Sequence, residues 1–108
     1  MNIFIVGKVD HDNMRECCTQ QMQAQKELEQ QGHKALSIMY EFNWEDNFEN
    51  EVFLRFAMLI KSEAIAVLSG WHQDILCHHE IALAAALGKS IITANDVSVP
   101  PRITFIIK

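Results

Sequence analysis

Glycine, proline and cysteine are scarce in these 108 residues, at four, two and three. An odd cysteine count, with Cys17 and Cys18 adjacent, gives no disulfide framework and fits the reducing cytoplasm. So few glycines leave no G-x-G-x-x-G and no P-loop, which removes the two familiar glycine cradles for phosphate. H-E-x-x-H is absent too, because His79 and Glu80 are followed by Ile81, Ala82 and Leu83. His72, His78 and His79 lack the spacing that would aim them at one ion, so no metal is expected. No serine sits in a nucleophile elbow. Cys77 and His78 are helix neighbours that do not face each other, so they form no dyad.

Positive charge is also in deficit. Nine Lys and Arg against fourteen Asp and Glu give a formal net charge of -5. That balance argues against polymeric nucleic acid or an acidic membrane as partner, and no basic patch interleaves with aromatics. No apolar run reaches membrane-spanning length. The opening Met-Asn-Ile-Phe-Ile-Val-Gly lacks the basic flank of a signal peptide. Repeats, linkers and low-complexity tracts are missing. The expectation is a soluble cytoplasmic protein with one domain over residues 1–108, long enough to enclose a core.

What the chain does contain is organised around residues 64–93. The run 64–71 is short, apolar and β-rich, and it stops at Gly70. An alanine- and leucine-rich helix follows and ends near Gly88. Ser90-Ile-Ile-Thr is a second strand, which completes a βαβ unit and implies a parallel sheet. Upstream, residues 2–6 form a first, central strand ending at Gly7. A helix covers 14–31, with Met14, Cys17, Cys18, Met22, Ala24 and Leu28 broadly on its inner side, and the paired cysteines read as core packing. A strand covers 34–39. Residues 51–61 are helical, and so apolar that the helix is either deeply buried or at an interface. Between them, residues 40–50 mix aromatics with acids; this loop covers a pocket, meets another subunit or packs back on the domain. Pro100 and Pro101 forbid a strand before a last short one at 103–107. The fold class is α/β: a flavodoxin-like three-layer sandwich with a mostly parallel sheet of four to five strands. Function should collect at the carboxyl ends of its strands. Glu80 is the one acid inside the apolar part of the alanine- and leucine-rich helix. It reads either as a surface or helix-start acid or as a carboxylate beside a pocket.

Several stretches together resemble the nucleoside 2-deoxyribosyltransferase superfamily, and most of all its short DUF4406 branch. They are Ile3-Phe4-Ile5-Val6-Gly7, Leu28-Glu29-Gln30-Gln31-Gly32-His33, Ala64-Ile65-Ala66-Val67-Leu68-Ser69-Gly70-Trp71, and Glu80-Ile81-Ala82-Leu83-Ala84 with Ala86-Leu87-Gly88-Lys89. The resemblance spans about residues 1–94. It implies that Glu80 is a nucleophile on the anomeric carbon of a deoxyribonucleoside or its monophosphate, with water or a second base then taking the sugar. It implies a ligand surrounded by Gly7, Lys8, Gly70 and Trp71, with Lys8 or Arg55 meeting a phosphate. Asp74 or His72 would serve the leaving base. No metal or organic cofactor is required by the covalent route. A homodimer or larger homo-oligomer is implied, since the family completes its sites across subunits. The chain departs from the family pattern in four places, one of them Ser62-Glu63, where the family has a cysteine-aspartate pair. The first loop has one glycine. Arg55 stands where the family has an aspartate that holds the sugar, so Tyr40 or Asp10 would have to accept the sugar hydroxyls. Ile75 is bulky at the turn where the family's backbone approaches a phosphate.

Overall fold

A computed structural model describes residues 1–41 and 47–93. The strand expected at 103–107 and residues 42–46 of the aromatic loop lie outside the described residues. Four strands alternate with helices: β1 (Asn2–Val6), α1 (Met14–Gln30), β2 (Lys34–Leu36), α2 (Ile38–Glu41), α3 (Phe48–Lys61), β3 (Ala64–Val67), α4 (Ile75–Ala86) and β4 (Ser90–Thr93), with a short 3-10 turn at Trp71–Gln73. The sheet order is β2-β1-β3-β4 and every pairing is parallel. In register, Phe4 pairs with Ile65 and Ile65 with Ile91. The α/β sandwich expected from the sequence is therefore what the chain forms, with four strands among the described residues.

Strand alternation sorts the core into two layers. Ile3, Ile5, Ala64 and Ala66 point to one face and pack with Leu28 and Ala24 of α1. Phe4, Val6, Ile65 and Val67 point to the other and meet Met58 and Leu59 of α3 and Cys77, Ile81 and Ala84 of α4. Both central strands are buried on both faces, which is why they read as unbroken apolar runs.

Local chemistry sets several boundaries. β2 stops at Leu36, earlier than expected, and α2 takes the place of the strand's second half. The cause is Ser37, a buried serine whose hydroxyl donates to Gln21 Oε1 at 2.5 Å and accepts from the Met39 N–H at 3.2 Å. That local bond turns the chain out of the sheet. Gln21 is fully buried on α1, whereas Met22 is 48% exposed. The inner stripe of α1 therefore follows Cys17, Gln21, Ala24 and Leu28 rather than including Met22. α3 begins at Phe48, where the Asn47 side chain accepts from the Asn50 N–H. α4 ends as expected. The Gly88 N–H donates to Ala85 O and the Lys89 N–H to Ala84 O, the two bonds of a Schellman closure. The Lys89 ammonium then reaches back to the end of α3, donating to Ile60 O at 3.0 Å and to Ser62 O. A cation on the open carbonyls of a helix C-terminus satisfies both their hydrogen bonding and the helix dipole.

Candidate active site

The strand order reverses between β1 and β3: β1 is followed outward by β2, and β3 by β4. In open parallel sheets the crevice above the carboxyl ends of two such strands is the favoured ligand position. A cleft of about 480 Å³ lies there, lined by Lys8, Asp10, His11, Gln73, Asp74 and Ile75 among others. The loop after β1 supplies one wall and the turn into α4 supplies the other.

Asp74 joins the two walls. Its Oδ1 accepts from the Leu76 N–H at 2.9 Å, which caps α4. Its Oδ2 accepts from the Val9 N–H at 3.0 Å and from Arg55 Nη1 and Nη2 at 3.3 and 3.4 Å. Four N–H contacts thus converge on this carboxylate, and both of its oxygens are engaged within the fold. Lys8 lies opposite and donates to Gln73 Oε1 at 3.0 Å. Gly70 sits beneath it with φ 85°, and a Cβ there would come within 3.3 Å of Lys8 Cδ. Gly7 is buried, and a Cβ on it would meet Gln21 Nε2 and Leu68 Cδ1 at 3.1 Å. Its glycine character serves close packing of α1 on the strand ends.

Beneath the cleft is a buried ionic cluster that the sequence only partly announces. Arg55, 2% exposed, is among the largest fully buried side chains. Its Nη2 donates to Glu80 Oε1 at 2.6 Å, its Nε to Glu80 Oε2 at 3.4 Å, and its Nη1 to Glu51 Oε2 at 3.2 Å. With Asp74, three carboxylates converge on one guanidinium. The expectation sets Arg55 beside a ligand phosphate; the structure instead turns it inward onto acids. Burial opposes its charge, but Glu80 and Asp74 outweigh that and raise its pKa. Glu80 is fully buried, and burial pushes its carboxyl up to about 7 against the opposing pull of Arg55. Burial likewise pushes the Cys77 thiol up, 3.6 Å from Arg55 Nη2. Glu51 is a member of the cluster that sequence reasoning does not single out. The available signal is its spacing of four from Arg55 on α3, which places both on one helix face. Its second oxygen, Oε1, lies 3.2 Å from Nε2 of the exposed His11, which links the cluster to the cleft wall. No group of three or more metal-ligating side chains is arranged to hold an ion among the described residues.

The other expected residues fall apart spatially. Asp10 lines the cleft. Trp71 packs against the core and tilts onto the His78 ring at 4.8 Å between centroids. Tyr40, 51% exposed, lines a hollow with the polar outer side of α1 rather than the cleft. Of the two residues expected to accept the sugar hydroxyls, Asp10 lines the cleft and Tyr40 does not.

No family model matches the chain, and no curated protein matches it. Among solved structures it is similar to a 2-deoxyribosyltransferase from the psychrotolerant bacterium Bacillus psychrosaccharolyticus. The TM-score is 0.69, over 92% of this chain and 77% of that one. The fold is that of a 2-deoxyribosyltransferase. Sequence identity is 13%, so the likeness is one of fold, and the chemistry must be argued from this chain's own residues. No helix among the described residues is long and apolar enough to cross a membrane.

Proposed function

We propose that the cleft over β1 and β3 binds a nucleoside or nucleoside monophosphate, with Lys8 meeting a phosphate and Asp10 a sugar hydroxyl. The observation that carries this reading is the setting of Lys8. Its ammonium stands in a cleft at the strand-order reversal and is bonded there to the neutral Gln73 amide, so an arriving anion has no carboxylate on that ammonium to displace. Charge-assisted bonds to such an anion are roughly twice as strong as neutral ones. On this reading the chain is one domain over residues 1–108 of the short DUF4406 branch, cytoplasmic, and works without metal or organic cofactor.

Glu80 favours a second reading, N-glycosidic bond hydrolysis or deoxyribosyl transfer. It lies one side chain behind the cleft wall, joined to Asp74 through Arg55. In that reaction a Glu80 oxygen bonds to the anomeric carbon as the C–N bond breaks. The electron pair leaves with the base, which takes up a proton, and water or a second base then releases the sugar. Attack requires about 3 to 3.5 Å between the reacting atoms. Glu80 is fully buried and held by Arg55 at 2.6 Å, so turnover demands that Arg55 first give up that contact. Binding is thus the reading that the geometry supports best.

Calorimetric titration with deoxynucleosides and their monophosphates separates the two. Binding of a monophosphate by the parent, weakened by Lys8→Ala, is the expected result. Absence of binding by any of them would remove the proposal. Release of free base by the parent and not by Glu80→Ala would establish the second reading; an inert parent that still binds would leave a binding protein.

A further inference from the structure

The groups that would meet an anion in the cleft are mostly engaged by the protein itself. Backbone N–H groups at a helix start are the ordinary anion donors of such a crevice. Here one carboxylate takes them. Asp74 accepts the Leu76 N–H of α4 on Oδ1 and the Val9 N–H of the facing loop on Oδ2. The Asp10 N–H goes to Cys17 Sγ at 3.4 Å, and the Gln73 N–H closes a turn onto Gly70 O at 3.1 Å. His11 is turned to Glu51, and Arg55 to the buried cluster. Lys8 and Gln73 are the remaining donor side chains on the cleft wall among the described residues.

These two side chains form one unit. An ammonium has donors and no acceptor, so the Gln73 atom 3.0 Å from Lys8 Nζ is the amide oxygen. That contact fixes which way the amide is turned. Its nitrogen carries two N–H donors, and no acceptor among the described residues takes them. Lys8 keeps two of its three N–H groups for a ligand. The bare Cα of Gly70 leaves room for the Lys8 stem, since a Cβ there would come within 3.3 Å of Lys8 Cδ. A cation and an amide donor thus stand side by side. A phosphate monoester offers such a pair three acceptor oxygens, whereas the hydroxyl of an unphosphorylated nucleoside offers one. Resting on the reading of the cleft as a nucleotide site, we propose that Gln73 is its specificity determinant for phosphate: Oε1 holds the Lys8 ammonium, and Nε2 donates to the same phosphate.

Calorimetric titration of the full chain with deoxynucleoside monophosphates and with the matching deoxynucleosides is the test. The parent should bind a monophosphate more tightly than its nucleoside. Gln73→Glu keeps the shape, turns the amide donor into an acceptor and pairs Lys8 with a carboxylate. Gln73→Met removes both amide contacts and adds no charge. The monophosphate should bind about thirtyfold or more weakly to Q73E and about tenfold more weakly to Q73M, the range for hydrogen bonds to a charged group. Nucleoside affinity should not change in either. Gln73 is exposed, so circular dichroism of both variants should match the parent. A parent that binds neither ligand form removes the nucleotide reading, and this assignment with it. A monophosphate bound by the parent, lost in Lys8→Ala and retained in full by Q73M would leave that reading standing and overturn the assignment of Gln73. Equal affinity of the parent for the two ligand forms overturns it as well. So does equal weakening of both by the variants, since Gln73 would then only shape the turn.

Discussion

Replacing Glu80 by glutamine should flatten the pH dependence of stability. Glu80 has an ordinary pKa of 4.5 and is raised to about 7 in the fold, first by burial. Between those values the folded chain holds a proton that the unfolded chain has released. Stability from this group is therefore complete below about pH 4.5 and is lost as pH rises through about 7, at about 1.4 kcal/mol per pH unit. The whole window amounts to roughly 3 kcal/mol. The substituted glutamine would carry no titrating proton, while its amide oxygen could still accept from Arg55. Urea unfolding of parent and Glu80→Gln, followed by circular dichroism from about pH 5 to 8, isolates the effect, because the other titrating groups are common to both. The parent should lose stability relative to the variant as pH rises, with most of the change complete near neutrality. Parallel curves would show that Glu80 does not hold a proton in the fold. A parent that gains on the variant with rising pH would mean that its pairing with Arg55 outweighs burial, and the account of the cluster would be wrong in sign.

Arg55→Met should destabilise the fold by about 3 kcal/mol or more at pH 8, because it strands buried carboxylates, and by less near pH 5, where Glu80 holds a proton; chemical denaturation at the two pH values measures both. Lys89→Met keeps the apolar stem but removes the bonds to Ile60 O and Ser62 O. It should cost about 1 kcal/mol by thermal or urea unfolding. Gly70→Ala imposes a side chain on a residue at φ 85°, and a loss of about 1 to 2 kcal/mol in the same assay is expected.

Much of the fold is legible in the sequence because its signals are local. The runs at β1 and β3 are short, apolar and closed by Gly7 and Gly70, and Gly88 marks the end of α4. The second strand reads too long because Ser37 acts through Gln21, sixteen residues earlier, and no period in the sequence shows that partner. The candidate site is legible in one residue, Glu80, an acid where an apolar helix has no local use for one. Arg55 reads as facing a ligand because the resemblance sets it where the family holds its sugar, and the hydrophobicity of α3 does not correct that. Its apolar residues suggest the inner side, yet Glu51 and Arg55 occupy that side and Phe53 and Ile60 face outward. An arginine enters the interior only when carboxylates from other elements meet it there. Two of its partners, Asp74 and Glu80, lie nineteen and twenty-five residues further along the chain.

That separation orders the events of synthesis. Arg55 emerges well before Asp74 and Glu80, so a nascent chain that has only reached β3 has no interior in which to lodge the guanidinium. α3 cannot dock on the sheet by itself, because docking would bury a cation with Glu51 as its one acidic partner. The arrival of α4 brings the missing carboxylates and the helix cap together. The two helices therefore come onto the sheet in one step, and a chain cut after Val67 should show no slowed amide exchange in α3. The ionic cluster acts as a latch on the order of assembly, withholding the second layer of the sandwich until α4 has been made.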